Sequence, residues 1–186
     1  MAPAPLVPLP DAELLLLRHG IAEPRRADLP EHGRALTPEG RRRTAALLAR
    51  LLSWELGADR LLSSPLLRAR QTAELAVEAG LAPSLELAEA LAPEGGALAE
   101  LAIWLAAVTP GPGRRRGRLC LVGHEPELSA LACRLIGAPA GAISLRKAGV
   151  VLLRCGAAPE PGGDGLPRTA ARLQLLLTPR VLLATP

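Results

Sequence analysis

The run Leu14-Leu15-Leu16-Leu17-Arg18-His19-Gly20 is four leucines that stop abruptly at an arginine, a histidine and a glycine. The leucine run is too short to span a membrane. It has the length of a strand buried on both faces of a parallel sheet. In an open α/β sheet, ligands bind outside the carboxyl ends of the strands. Arg18 and His19 therefore stand where chemistry is expected, and Gly20 is expected to let the backbone turn away. The plain alternative is a solvated Arg-His pair in a βα loop.

Working outward, residues 14–18 read as the first strand and Ile21 to Leu36 as a loop. Thr37-Pro38-Glu39-Gly40 opens a helix, with Thr37 as N-cap and Pro38 at the first position, running to about Leu52. Asp59 to Ser63 is a second strand. Ser64-Pro65 opens a helix over 65–79 by the same device, with Arg68 in its first turn. Leu85 to Leu87 is a short third strand, Glu89 to Gly96 a turn, and 97–107 a helix. Arg118 to Gly123 is a fourth apolar strand ending in Gly123-His124-Glu125-Pro126, and a helix follows from Pro126 to about Ile136. Val150 to Leu153 and Leu173 to Leu177 are two more strands, an edge hairpin flanking the Pro/Gly loop from Gly156 to Pro167. The expected fold is α/β: a three-layer αβα sandwich, its central sheet mostly parallel with an antiparallel edge. Residues 1–12 read as a flexible leader and 13–186 as a single domain.

With 186 residues and 49% hydrophobic content, the chain is long and apolar enough for one globular domain and is not a disordered one. It has no Phe or Tyr, so Leu, Ala and Val must fill the core. Net charge is +4 and pI about 9.7, which mildly favours anionic partners. Lys147 is the single lysine among 22 basic residues. Arg114-Arg115-Arg116 lies in a connection expected to be mobile and solvated. Without aromatic residues for base stacking, it is a poor nucleic-acid surface. The three cysteines, Cys120, Cys133 and Cys155, are odd in number and lack metal-site spacing, so free buried thiols are expected. Met1 to Pro10 has no basic n-region and is a poor signal peptide, which points to a cytoplasmic protein with no membrane partner.

Three strand–helix junctions carry reactive residues: Arg18 and His19, then Arg68, then His124. If their strands are parallel, all three open at one sheet edge, and two run into helix N-termini that favour anions. Two arginines, two histidines and helix ends describe a phosphoryl pocket. A metal would want carboxylates, which the junctions mostly lack. His19 is the candidate nucleophile, since like charges around it favour the neutral, attacking imidazole. Arg18, Arg68 and His124 would bind the phosphate oxygens. Each has a plain rival: a histidine capping a strand end, an arginine in a surface ion pair.

These stretches resemble a known family. Leu17-Arg18-His19-Gly20 is similar to the R-H-G signature of the histidine phosphatase superfamily, the phosphoglycerate mutase-like fold. Ser63 to Ala73 resembles its S-P-x-x-R-A-x-Q-T-A segment, Arg34 to Gly40 its R-x-L-T-x-x-G element, and Val122 to Pro126 its second-histidine motif. The R-K-A-G at Arg146 to Gly149 and the L-T-P-R at Leu177 to Arg180 are similar to the compact bacterial phosphohistidine phosphatases. The resemblance implies a phosphohistidine intermediate on His19, a pocket of Arg18, Arg68 and His124, and no metal or other cofactor. It implies a general acid after the second helix, for which Glu89 is the candidate and Glu125 the competitor. Many relatives carry Ser or Thr where this chain has Ala22.

Expelling an alkoxide needs a proton donor in the transition state, whereas expelling a neutral imidazole demands much less. A compact site with an ill-defined acid therefore leans towards a phosphohistidine-bearing partner protein. A small phosphorylated substrate is the runner-up, and a non-catalytic phosphate-binding module is a third reading.

Overall fold

A computed structural model describes residues 9–156 and 170–184. Six strands form one sheet: β1 (Glu13–Arg18), β2 (Arg60–Ser63), β3 (Glu86–Leu87), β4 (Arg118–Gly123), β5 (Val150–Cys155) and β6 (Ala171–Leu177), in the order β3-β2-β4-β1-β5-β6. The first four of that order run parallel; β5 and β6 add an antiparallel edge. Helices α1 (Pro38–Ser53), α2 (Leu67–Glu78) and α5 (Pro179–Ala184) cover one face, and α3 (Ala97–Ala106) and α4 (Glu127–Ile136) the other. This is the expected three-layer α/β sandwich.

The leucine run explains the layering. Leu14 and Leu16 point into the α3/α4 layer, Leu15 and Leu17 into the α1/α2 layer, and all four are 0% exposed. A strand covered on both faces has no reason to alternate polar with apolar. Each such leucine contributes about 1.5–3 kcal/mol by burial. With no Phe or Tyr to fill space, α2 lays Ala69, Ala73 and Ala76, all fully buried, against the sheet.

Thr37 caps α1 as its sequence promises: its Oγ1 accepts from the Gly40 N–H at 2.9 Å, with Pro38 at the first position. One expectation fails, and two features lie outside the sequence reading. Helix α2 begins at Leu67, two residues after Pro65, and Ser64 does not cap it; the N-cap is Leu66, with no side-chain bond. Helix α5 was not foreseen. It packs Leu182 fully buried into the α1/α2 layer. Gly20 does not adopt a left-handed conformation. It is needed for closeness, since a Cβ there would lie 2.3 Å from Thr44 Oγ1 and 3.2 Å from Leu36 Cδ2.

The Arg114–Arg118 connection is pinned by three of its arginines, while Arg115 is exposed as expected. Arg114 Nη2 donates to Asp59 Oδ1 at 2.5 Å and its Nη1 to the Gly57 carbonyl at 2.6 Å. Arg116 pairs with Asp11, and Arg118, 7% exposed, pairs with Glu13 at 2.7 Å. These arginines brace the amino ends of β1 and β4, the edge opposite the candidate pocket. Of the leader, residues 1–8 lie outside the described residues, while Ala12 is buried and its carbonyl accepts from Cys155 N–H at 2.8 Å. The loop expected over Gly156 to Pro167 also lies outside them, apart from Gly156. All three cysteines are free and buried, and burial pushes the Cys120 and Cys155 thiols up to about 12. No helix among the described residues is long and apolar enough to cross a membrane.

Candidate active site

The carboxyl ends of β1, β4 and β2 lie side by side, because Arg18 pairs in register with Gly123 and Ser63 with Val122. Just beyond the paired region, His19 N–H donates to the Gly123 carbonyl at 3.0 Å and Ser64 N–H to the Val122 carbonyl at 2.9 Å. Ala148 N–H reaches the His19 carbonyl at 3.0 Å. The His19 and His124 rings meet with centroids 5.1 Å apart, and Arg68 swings in from the first turn of α2. His19, His124 and Arg68 are 6%, 3% and 5% exposed. Three separate junctions are thus drawn into one buried cluster of histidines and arginine.

The hydrogen bonds settle the protonation of His19. Arg68 Nε approaches His19 Nε2 at 3.2 Å, and an arginine N–H can only donate, so Nε2 accepts and carries no proton. Nδ1 lies 2.7 Å from the Gly20 carbonyl, which can only accept, so the proton is on Nδ1. Burial, with the charges of Arg68 and Arg18 and the neighbouring His124, pushes the His19 pKa down to about 3; the Gly20 carbonyl opposes this. Nε2 therefore stays unprotonated across the neutral range, its lone pair engaged by Arg68. His124 is pushed down to about 4, by burial first and then by Arg68. Its Nε2 lies 2.8 Å from Ser64 Oγ.

Two buried polar atoms in this region have no partner among the described residues: His124 Nδ1 and Arg18 Nε. Buried polar groups are rarely left unpaired. Arg18 is otherwise held by donation from Nη1 to the Leu145 carbonyl at 2.7 Å. Burial lowers its pKa, and so does Arg146, while Glu125 opposes them.

The two acid candidates differ. Glu125 is turned onto α4, where both carboxylate oxygens accept from Ser129, Oε2 from its Oγ at 2.7 Å. Glu89, itself exposed, opens a 3-10 turn, Glu89–Leu91, whose Ala90 and Leu91 are buried, just after Ala88 N–H bonds the Ser63 carbonyl at the same sheet edge. Its side chain has no hydrogen bond or ion pair among the described residues. Ala22 is buried in a short bridge with Leu36 and supplies no hydroxyl.

Sequence reasoning missed three residues. Ser64, read as a cap, instead contacts His124. Thr72 Oγ1 accepts from Gly20 N–H at 3.0 Å and donates to the Arg68 carbonyl at 2.8 Å, tying the His19 loop to the Arg68 turn. Both sit inside the quoted Ser63 to Ala73 segment. Glu31, on a 3-10 turn in the supposed featureless loop, places Oε1 3.0 Å from Arg68 Nη2 and 2.7 Å from Arg34 Nη1. Burial would raise its carboxyl, but Arg34, Arg68 and Arg25 outweigh this and hold it below the usual range. No sequence signal marked it.

The family model "Histidine phosphatase superfamily (branch 1)" matches residues 14–92. An uncharacterised protein of Picosynechococcus sp. is 43% identical over 148 residues, covering 78% of this chain and 87% of its own. The protein histidine phosphatase SixA, solved with tungstate, superposes with a TM-score of 0.72 at 20% identity, covering 91% of this chain and 99% of that one. A mycobacterial glucosyl-3-phosphoglycerate phosphatase gives a TM-score of 0.64 at 18% identity, covering 88% and 97%. At such identities these two structures speak for the fold. From the family match and the sequence relative, the chain belongs to the histidine phosphatase superfamily.

Proposed function

We propose that this protein removes phosphate from phosphohistidine on a partner protein, through a covalent intermediate on His19. The carrying observation is the unprotonated His19 Nε2 facing the Arg68 guanidinium at 3.2 Å. In this reading the arriving phosphate draws Arg68 Nε away from His19 Nε2, and the freed lone pair attacks phosphorus in line as the bond to the substrate's imidazole nitrogen breaks. The departing imidazole, already protonated on its other nitrogen, leaves neutral. Water then attacks phospho-His19, releasing inorganic phosphate and restoring the Nε2 lone pair. Arg18 Nε and His124 Nδ1 supply donors to the phosphate oxygens, as does Arg68, so charge in transfer is met by fixed dipoles. For His124 this requires Nδ1 to carry the proton and Nε2 to accept from Ser64 Oγ.

The carboxylate arrangement supports an imidazole leaving group. Glu125 is engaged with Ser129, and Glu89 is exposed and unanchored, so neither candidate acid is held rigidly for protonating an alkoxide. Glu89 is also what favours the second reading, a small-molecule phosphomonoesterase in which Glu89 moves in as acid. The superposable glucosyl-3-phosphoglycerate phosphatase keeps that reading in play.

The test is incubation with a ³²P-phosphohistidine protein, wild type beside His19→Ala. Acid-labile, base-stable label on the wild type alone, with phosphate released, supports the protein substrate. No label and no release refutes it. Strong turnover of simple phosphate esters that disappears in Glu89→Gln would favour the second reading.

A further inference from the structure

A second concentration of positive charge lies on the same sheet edge, beyond the His19 loop. A cavity of about 560 Å³ opens between the amino end of α1, the Arg146–Gly149 turn and the start of α5. Its lining includes Arg18, Arg43, Thr44, Arg146, Lys147 and Arg180, and no carboxylate. Some arginines elsewhere are matched by acids, as in Arg60–Glu86, Arg70–Glu74 and Arg114–Asp59, while Arg41, Arg115 and Arg172 stand singly among the described residues. Here the side chains of Arg146, Lys147 and Arg180 have no hydrogen bond or ion pair among the described residues. Arg43 has only a 4.0 Å approach to Glu39. Arg146, Lys147 and Arg180 are exposed and solvent screens them, yet together they concentrate positive potential at the cavity, which favours an anion there.

One observation of a different kind points the same way. The chain's single lysine stands here. The composition favours arginine at every other basic position, so bias does not account for Lys147. A compact ammonium serves as a point charge where a planar guanidinium fork does not fit.

We infer that this cavity is a second anion-binding subsite, taking a phosphate or carboxylate group distinct from the phosphoryl group handled at His19. Arg18 belongs to its lining and also lies within electrostatic reach of His19, so the two sites share a wall. The subsite deepens the proposed function by describing a substrate, or an accompanying ligand, with a second acidic group next to the scissile one. The count of binding sites does not depend on that function.

Inorganic phosphate is titrated calorimetrically into the full chain, an Arg68→Ala variant and a Lys147→Ala/Arg180→Ala variant, each checked by circular dichroism. The wild type should bind two equivalents. The double variant should weaken one by about tenfold or more, the worth of a charged hydrogen bond, and leave the other. Arg68→Ala should do the reverse. A single equivalent, lost in Arg68→Ala and untouched in the double variant, overturns the inference, whether or not His19 becomes labelled in the trapping experiment. Phosphohistidine peptides with Asp/Glu or Gln neighbours identify the source of the group. A tenfold rise in KM confined to the acidic peptide in the double variant assigns it to the substrate. Equal behaviour of the two peptides, with two phosphate equivalents still seen, assigns it to a free anion.

Discussion

Acidification should destabilise this protein in a window set by its two buried histidines. Unfolded, each imidazole takes up a proton near pH 6.5; folded, His19 does so only near 3 and His124 near 4. Between these values the unfolded chain binds more protons, so stability is present at neutral pH and is lost as pH falls. From about pH 7 to about pH 5, the unfolded state gains roughly RT ln(1 + 10^1.5), about 2 kcal/mol for each ring and about 4 kcal/mol for the pair. That is a large share of the 5–15 kcal/mol typical of a domain. Carboxylates depressed by ion pairs, such as Glu31, act with the same sign but mainly below the unfolded value of 4.5, outside the window. The assay is urea unfolding in phosphate-free buffer, followed by circular dichroism and by fluorescence of Trp54 and Trp104. His19→Asn should halve the loss and His19→Asn/His124→Asn abolish it. A flat urea midpoint in the wild type, or an equal fall in the double variant, would refute the reasoning.

Other outcomes can be stated briefly. Gly20→Ala forces a methyl against Thr44 Oγ1 and should cost about 1–3 kcal/mol in urea unfolding, part of it recovered by adding Thr44→Ala. Leu16→Ala, in the wholly buried strand, should cost about 2–5 kcal/mol; a loss under 1 would contradict the packing described. Ser64→Ala removes the partner of His124 Nε2 and should weaken phosphate binding about tenfold while costing about 1 kcal/mol of stability. Arg68→Ala should lower turnover of the preferred substrate by about 10²–10³, the loss expected for one transition-state donor.

The sheet was legible because burial on both faces leaves an unmistakable mark: uninterrupted runs such as Leu14 to Leu17 and Leu119 to Val122. The junction residues were legible because parallel strands force their carboxyl ends together, so Arg18, His19, Arg68 and His124 had to converge if the topology was right. Interactions between distant segments were hidden. Glu31 reaches Arg68 across 37 positions, and nothing in its neighbourhood announces that. Ser64 looked like a cap because Ser-Pro favours helix starts, yet the tertiary bond to His124 outweighed that local preference. The arginines after Gly113 looked like solvent because their acids, Asp11, Glu13 and Asp59, lie 55 to 105 positions away.

The bracing of β1 and β4 by Glu13 and Arg118 sits at one end of the same two strands whose other end holds the histidines. Five residue steps of strand separate Glu13 from Arg18, about 17 Å at 3.3 Å per residue. That exceeds both the range over which mutational effects couple and the screening length at physiological salt. Losses incurred by altering the pocket and gains made at the ion-paired end should therefore sum independently. The fold separates where it is held from where it varies, so a lineage or a designer can trade stability at one edge for new specificity at the other.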